Sequence, residues 1–165
     1  MKIKLKRYSK EFVKRFQKER KTLSKLGEFE IHHIGSTSVP GIMGKGWIDI
    51  LIIAKNKKQR DSLIKKLEKI GYKKAKTQRK ERIFFSKIKS GQRYNLHLYL
   101  RNKKAINKIL FRDYLIKHPE EAKKYEKLKK DILKKSKGDR VKYKELKENY
   151  FKALNIKIFK PAEFT

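Results

Sequence analysis

Apolar and charged residues alternate at helical spacing near the start of the chain, placing Tyr8, Phe12, Phe16, Leu23 and Leu26 on one stripe. The pattern predicts an amphipathic helix over 8–26, begun by Ser9 as N-cap and stopped by Gly27, with the stripe serving as core. Two short apolar runs follow, 29–34 and 47–53, both of strand length. Helical spacing returns over 56–70, where Leu63, Ile64, Leu67 and Ile70 face inward and Gly71 caps the end. Tyr72-Lys73-Lys74 can open an extended segment, and 76–81 is a polar loop. Residues 83–88 and 94–100 predict two antiparallel strands joined by the loop Lys89-Ser90-Gly91-Gln92-Arg93. In the second strand Leu96, Leu98 and Leu100 point to one face, and Asn95, His97 and Tyr99 to the other.

From Asn102 onward the pattern is helical: 105–117, 119–135 and 139–154, separated by His118-Pro119 and Ser136-Lys137-Gly138. Pro119 suits a first helical position, and Asp139 an N-cap or first turn. Residues 156–159 read as a short strand or a packed tail. The order places a sheet first and helices second, an α+β arrangement. We read it as one domain over 1–165, with a sheet-containing core (1–101) and a helical half (102–165).

Composition changes this picture in four ways. The 165 residues are 38% hydrophobic, enough for one compact core under a charged surface. Cysteine is absent, which excludes disulfides and thiolate metal sites. No stretch has the length or apolarity of a membrane span, and the first residues lack the apolar block of a signal peptide, so the expectation is a soluble, cytoplasmic protein with no membrane partner. The formal net charge is +32. Two readings of that charge stand: a polyanionic partner such as RNA, or a lysine-rich proteome, since Lys outnumbers Arg by nearly four to one. Nothing in the sequence speaks to oligomeric state.

The chemistry concentrates between the two apolar runs, in Gly35-Ser36-Thr37-Ser38-Val39-Pro40-Gly41 and the strand that follows. Gly35 allows a sharp turn and close approach of a ligand. Ser36, Thr37 and Ser38 offer hydroxyls and backbone N–H groups, either to cap a helix or to hold phosphate oxygens. Asp49 is the one acid in an apolar strand, and burying it calls for a partner such as a metal ion. His33, Ser36, Asp49 and His97 are the sheet positions that could act together. His97 could ligate a metal, act as a base, or be a hydrogen-bonded structural histidine.

The string His33-Ile34-Gly35-Ser36-Thr37-Ser38-Val39-Pro40-Gly41, then Lys45, then Ile48-Asp49-Ile50, resembles the GrpB family, which is similar to a branch of the nucleotidyltransferase superfamily. Asn95-Leu96-His97, Leu110 to Leu115, His118-Pro119-Glu120, Tyr125 and Tyr150-Phe151 extend the resemblance over about residues 8–151. It implies a nucleotidyltransferase-like mixed sheet with a C-terminal helical half. It implies transfer of a nucleotidyl group from a nucleoside triphosphate to an acceptor the sequence does not identify. Gly35, Ser36, Thr37, Ser38 and Lys45 would hold the nucleotide, with Arg112, Lys129, Tyr143 and Lys147 lining the cleft from the helices. Asp49 and His97 would be catalytic and, joined by His33, would hold a divalent metal, Mg²⁺ or Mn²⁺.

Two departures bear on this. The superfamily's Asp-x-Asp or Asp-x-Glu reads Asp49-Ile50-Leu51 here, so a second carboxylate is missing from that strand. The family's Lys-Pro-Ile reads Lys45-Gly46-Trp47. The alternative is therefore a non-catalytic nucleotide- or RNA-binding protein on a degenerate nucleotidyltransferase fold. The family's domain also occurs fused to dephospho-coenzyme A kinase, but this sequence has no P-loop.

Overall fold

The computed structural model describes residues 3–158, with side chains through 152. They fall into two compact units, one of Leu5–Ala122 and one that joins residues 3–4 to the chain from Lys123 onward. Among the described residues, no helix is long and apolar enough to cross a membrane.

The first unit is α+β. Its five strands are β1 (Glu30–Ile34), β2 (Ile48–Ala54), β3 (Lys73–Lys74), β4 (Ile83–Lys89) and β5 (Gln92–Leu100). They form one mixed sheet in the order β1-β2-β5-β4-β3. Only the central pair, β2 and β5, is parallel. Helix α1 (Lys10–Ser24) starts where Ser9 accepts a hydrogen bond from the Glu11 N–H at 3.2 Å. Helix α2 (Lys57–Lys69) is capped in the same way by Asn56 through Gln59. Helix α3 (Lys103–Lys117) is capped by Asn102, two residues earlier than the periodicity predicts, and it groups with the sheet.

The hairpin is tighter than expected. The loop shrinks to Ser90-Gly91, both at positive φ (48° and 72°), which is the backbone a two-residue turn with the strands' own twist requires. Gln92 and Arg93 therefore belong to β5.

One sheet face carries the main core. Ile48, Ile50 and Ile52 of β2 and Leu96 and Leu98 of β5 pack with Phe16 and Leu23 of α1 and Leu63 and Leu67 of α2. Ile34, Leu51, Ile53 and Tyr99 pack on the other face with Ala105 of α3. Beside the main core lies a buried ionic group: Lys87 and the Tyr72 hydroxyl both donate to Glu19 Oε1, at 2.9 and 3.0 Å. Glu19 is 2% exposed.

The second unit contains most of α4 (Pro119–Lys135) and all of α5 (Arg140–Ile158). Lys137-Gly138, at φ 51° and 78°, reverses the chain between them, and Asp139 caps α5 by accepting from the Lys142 N–H. Residues 156–158, expected as a strand or tail, are the last turn of α5; Phe159 lies outside the described residues.

Candidate functional site

Strand register decides which polar side chains meet. Asp49 is paired with Ile34 on one side and with Asn95 on the other. Leu51 is paired with His32 and His97. Paired residues share a face, so Asp49, Asn95, His97 and His32 lie on the α3 side of the sheet. His33 is paired with Ile50, in the main core, so it points the other way.

Gly35 follows β1 directly and turns the chain over Asp49. Its backbone sits at φ 76° and ψ −174°, a region open in practice only to glycine. A Cβ placed there would lie 2.5 Å from Asp49 Oδ2. The peptide thus rests directly on the carboxylate. Ser36–Ser38 then wind one 3₁₀ turn.

The three hydroxyls of that turn have separate fates. Thr37 is buried and donates its proton to the Trp47 carbonyl at 3.0 Å. It therefore accepts from His33 Nε2–H at 2.9 Å. Ser38 donates to the Gly35 carbonyl at 2.5 Å. Both side-chain hydroxyls tie the turn together from within. Ser36 is half-buried and lies against Gly44 of the incoming loop.

His33 is enclosed by its own contacts. Its ring stacks on Phe16 with centroids 4.6 Å apart. Burial pushes its pKa down to about 4, with Asp49 opposing and Arg112 adding to the effect. The structure brings Asp49 and His97 together and leaves His33 out, locking the base of the Gly35 turn from the opposite face.

His97 Nε2 stands 3.6 Å from Asp49 Oδ1, long for a hydrogen bond. Phe84 meets the imidazole edge-on at 5.2 Å. Burial lowers the His97 pKa to about 4; contact with Asp49 opposes this, and Lys108 and Arg82 add to it. At neutral pH the ring is uncharged, the form that ligates metal. Its Nδ1 is buried with no hydrogen-bond partner.

Asn95 was expected only as a companion of His97 on the polar face; in the structure it touches Asp49 itself. Its Nδ2 donates to Asp49 Oδ1 at 3.0 Å, and its Oδ1 accepts from Arg93 Nε at 3.0 Å. Arg93 also lies over Trp47, 4.7 Å from the ring centroid, and Lys45 lies 4.8 Å from the same ring. The loop carrying Lys45 is pinned by Gln92, whose amide donates to the Gly46 carbonyl at 2.7 Å while its oxygen accepts from Arg15 of α1.

Arg112 on α3 donates to the His33 carbonyl at 2.9 Å and pairs with Asp113. It stands beside the Gly35 turn. Lys129, Tyr143 and Lys147 belong to the second unit. There Lys129, 1% exposed, lies over the Tyr125 ring at 5.1 Å. Burial, helped by Lys147, lowers its pKa to about 7. Burial raises the Tyr143 pKa, and Lys147 lies over Phe151.

Among the described residues, no three His, Cys, Asp or Glu side chains converge as a metal cluster. The donor set of Asp49 plus a neutral His97 fits one cation whose remaining ligands come from a bound phosphate or water. It does not fit a two-ion centre, which needs bridging carboxylates.

A family model described as GrpB protein matches residues 2–157. The chain is 33% identical over 130 residues to UPF0157 protein YqkA of Bacillus subtilis (strain 168), across 76% of this chain and 38% of that protein. It is 31% identical over 136 residues to UPF0157 protein BH1888 of Halalkalibacterium halodurans, across 79% of this chain and 69% of that protein. The chain thus spans well under half the length of YqkA and about two thirds of BH1888. The crystal structure of conserved protein GrpB from Enterococcus faecalis superposes with a TM-score of 0.73 at 26% identity, over 92% of this chain and 99% of that one.

Proposed function

The chain belongs to the GrpB family, and on that basis we propose that it is a metal-dependent nucleotidyltransferase acting on a nucleoside triphosphate. The observation that carries this reading is the Gly35 peptide laid on the Asp49 carboxylate, with no room for a Cβ. A phosphate brought to that turn would meet a fixed carboxylate. Two anions so close repel unless a cation lies between them. Asp49 and His97 are the residues that would hold it, and the imidazole favours Mn²⁺ over Mg²⁺. Bound there, the ion would offset charge on the triphosphate and on departing pyrophosphate.

The chain's own residues supply the rest. Gly35 lets phosphate oxygens approach the backbone, and Ser36 adds a hydroxyl on the same turn. Arg112, anchored on the His33 carbonyl, and Lys45, on the loop leading to Asp49, supply positive charge to offset the negative charge that develops on the leaving group. The acceptor hydroxyl oxygen bonds to the α-phosphorus and gives its proton to solvent water, and the bond from the α-phosphorus to the bridging oxygen breaks, its electron pair leaving with pyrophosphate. His33 and Thr37 hold the turn in place.

A second reading, a nucleotide- or RNA-binding protein without turnover, has one observation in its favour. The residue facing Asp49 on β5 is Asn95, an amide where a second carboxylate would assemble a two-ion site.

Triphosphates radiolabelled at the α-phosphate, incubated with Mn²⁺ and with RNA, protein or small-molecule acceptors, separate the two. Transfer of label with release of pyrophosphate is the expected result. Bound triphosphate that keeps its label with every acceptor favours the second reading.

A further inference from the structure

Asn95 is 5% exposed and sits directly across the parallel β2–β5 pair from Asp49. Its amide has two ends, and the structure gives each a partner that accepts only one orientation. Arg93 can only donate, and it donates to Asn95 Oδ1; a carboxylate can only accept, and Asp49 Oδ1 accepts from Asn95 Nδ2. The amide therefore cannot flip. Asp49 Oδ1 is held by Asn95 and faces His97 Nε2 at 3.6 Å, while Asp49 Oδ2 lies under the Gly35 turn.

We propose that Asn95, oriented by Arg93, is a positioning residue that aims Asp49 Oδ2 at the Gly35 turn and limits the site to a single cation. The inference rests on the nucleotidyltransferase reading for its purpose, and its geometry stands on the Arg93–Asn95–Asp49 chain. A neutral amide facing Asp49 contributes no charge to a cation and blocks one carboxylate oxygen. An aspartate of the same shape would set two carboxylates face to face, an arrangement that a divalent ion relieves. The cation would then bind without help from a triphosphate.

The test is Mn²⁺ binding to the whole chain, followed by the spectrum of the ion and by calorimetry. The proteins are wild type, Asn95→Asp, Asn95→Leu and the double variant Asn95→Asp with Asp49→Asn. The near-isosteric Asn95→Asp is expected to bind Mn²⁺ alone at least tenfold more tightly than wild type, and to lose that gain in the double variant. Asn95→Leu is expected to keep its fold by circular dichroism while its metal-dependent triphosphate affinity falls about tenfold, the size of one charge-assisted hydrogen bond. Equal Mn²⁺ affinity in wild type and folded Asn95→Asp would overturn the proposal. So would a gain that survives removal of Asp49. If wild type binds triphosphate through Asp49 yet the Asn95 variants match it in every measurement, this inference falls and the functional reading stands. If wild type binds no triphosphate but Asn95→Asp gains Mn²⁺ through Asp49, the functional reading falls and the positioning role stands.

Discussion

Gly35→Ala is expected to lower metal-dependent triphosphate affinity about 100-fold while leaving the protein folded. Displacement of a reacting group by about 1 Å commonly costs that factor. The new methyl group would lie 2.5 Å from Asp49 Oδ2, so either the carboxylate or the turn must move. The backbone at φ 76°, ψ −174° adds strain of about 1–3 kcal/mol for any side chain. That is a modest part of a typical stability of about 5–15 kcal/mol. Calorimetric titration of triphosphate with Mn²⁺, beside a thermal melt, separates the two effects. An unchanged affinity would mean that phosphate does not approach Asp49 across this turn.

Lys87→Met is expected to cause the largest loss of stability. Lys87 and Tyr72 both serve Glu19, whose carboxylate is 2% exposed. Without the lysine, a buried negative charge keeps only the tyrosine, whose own hydroxyl is held protonated by burial and by Glu19. Removing one partner of such a pair costs about 3–5 kcal/mol. In a chain of this size that lowers the melting temperature by roughly 10 °C, readable by circular dichroism. The exposed pair Lys14–Glu11, with side chains 74% and 58% exposed, is the control; Lys14→Met should move the melt by less than about 2 °C. The loss also reaches the site, because α1 carries Phe16 against His33 and Arg15 against Gln92. A melt no lower than the control's would show that the Lys87–Glu19 contact does not stabilise the fold.

The helices and strands were legible because period and caps agreed: Ser9, Asn56 and Pro119 begin the helices they were expected to begin. The face of His97 was legible too, since Leu96 and Leu98 alternate with it and fill the main core. The face of His33 was not. His32 and His33 are adjacent, so one must point each way, and only the antiparallel register of β1 on β2 decides which. Strand order is equally silent in a sequence, and it is the parallel β2–β5 pair that sets Asn95 against Asp49. A signal for Asn95 existed in its alternation with His97, but face alone does not give a partner. Thr37 and Ser38 read as ligand groups because hydroxyls suit phosphate and caps alike. Burial of Thr37 and the bond from Ser38 to the Gly35 carbonyl turn them inward. The Lys87–Glu19 pair spans 68 residues, a separation over which local patterning carries no information.

The most direct test of the account is calorimetric binding of ATP, GTP, CTP and UTP, each with Mg²⁺ and with Mn²⁺, at moderate salt, to wild type and Asp49→Asn side by side. The account predicts that wild type binds at least one triphosphate in a metal-dependent way and that Asp49→Asn weakens it about 100-fold, the scale of an ion-anchoring charge lost from the site. Weak binding of all four, indifferent to metal and to Asp49, would contradict it. The triphosphates would then be meeting only the general positive charge of a chain that carries +32.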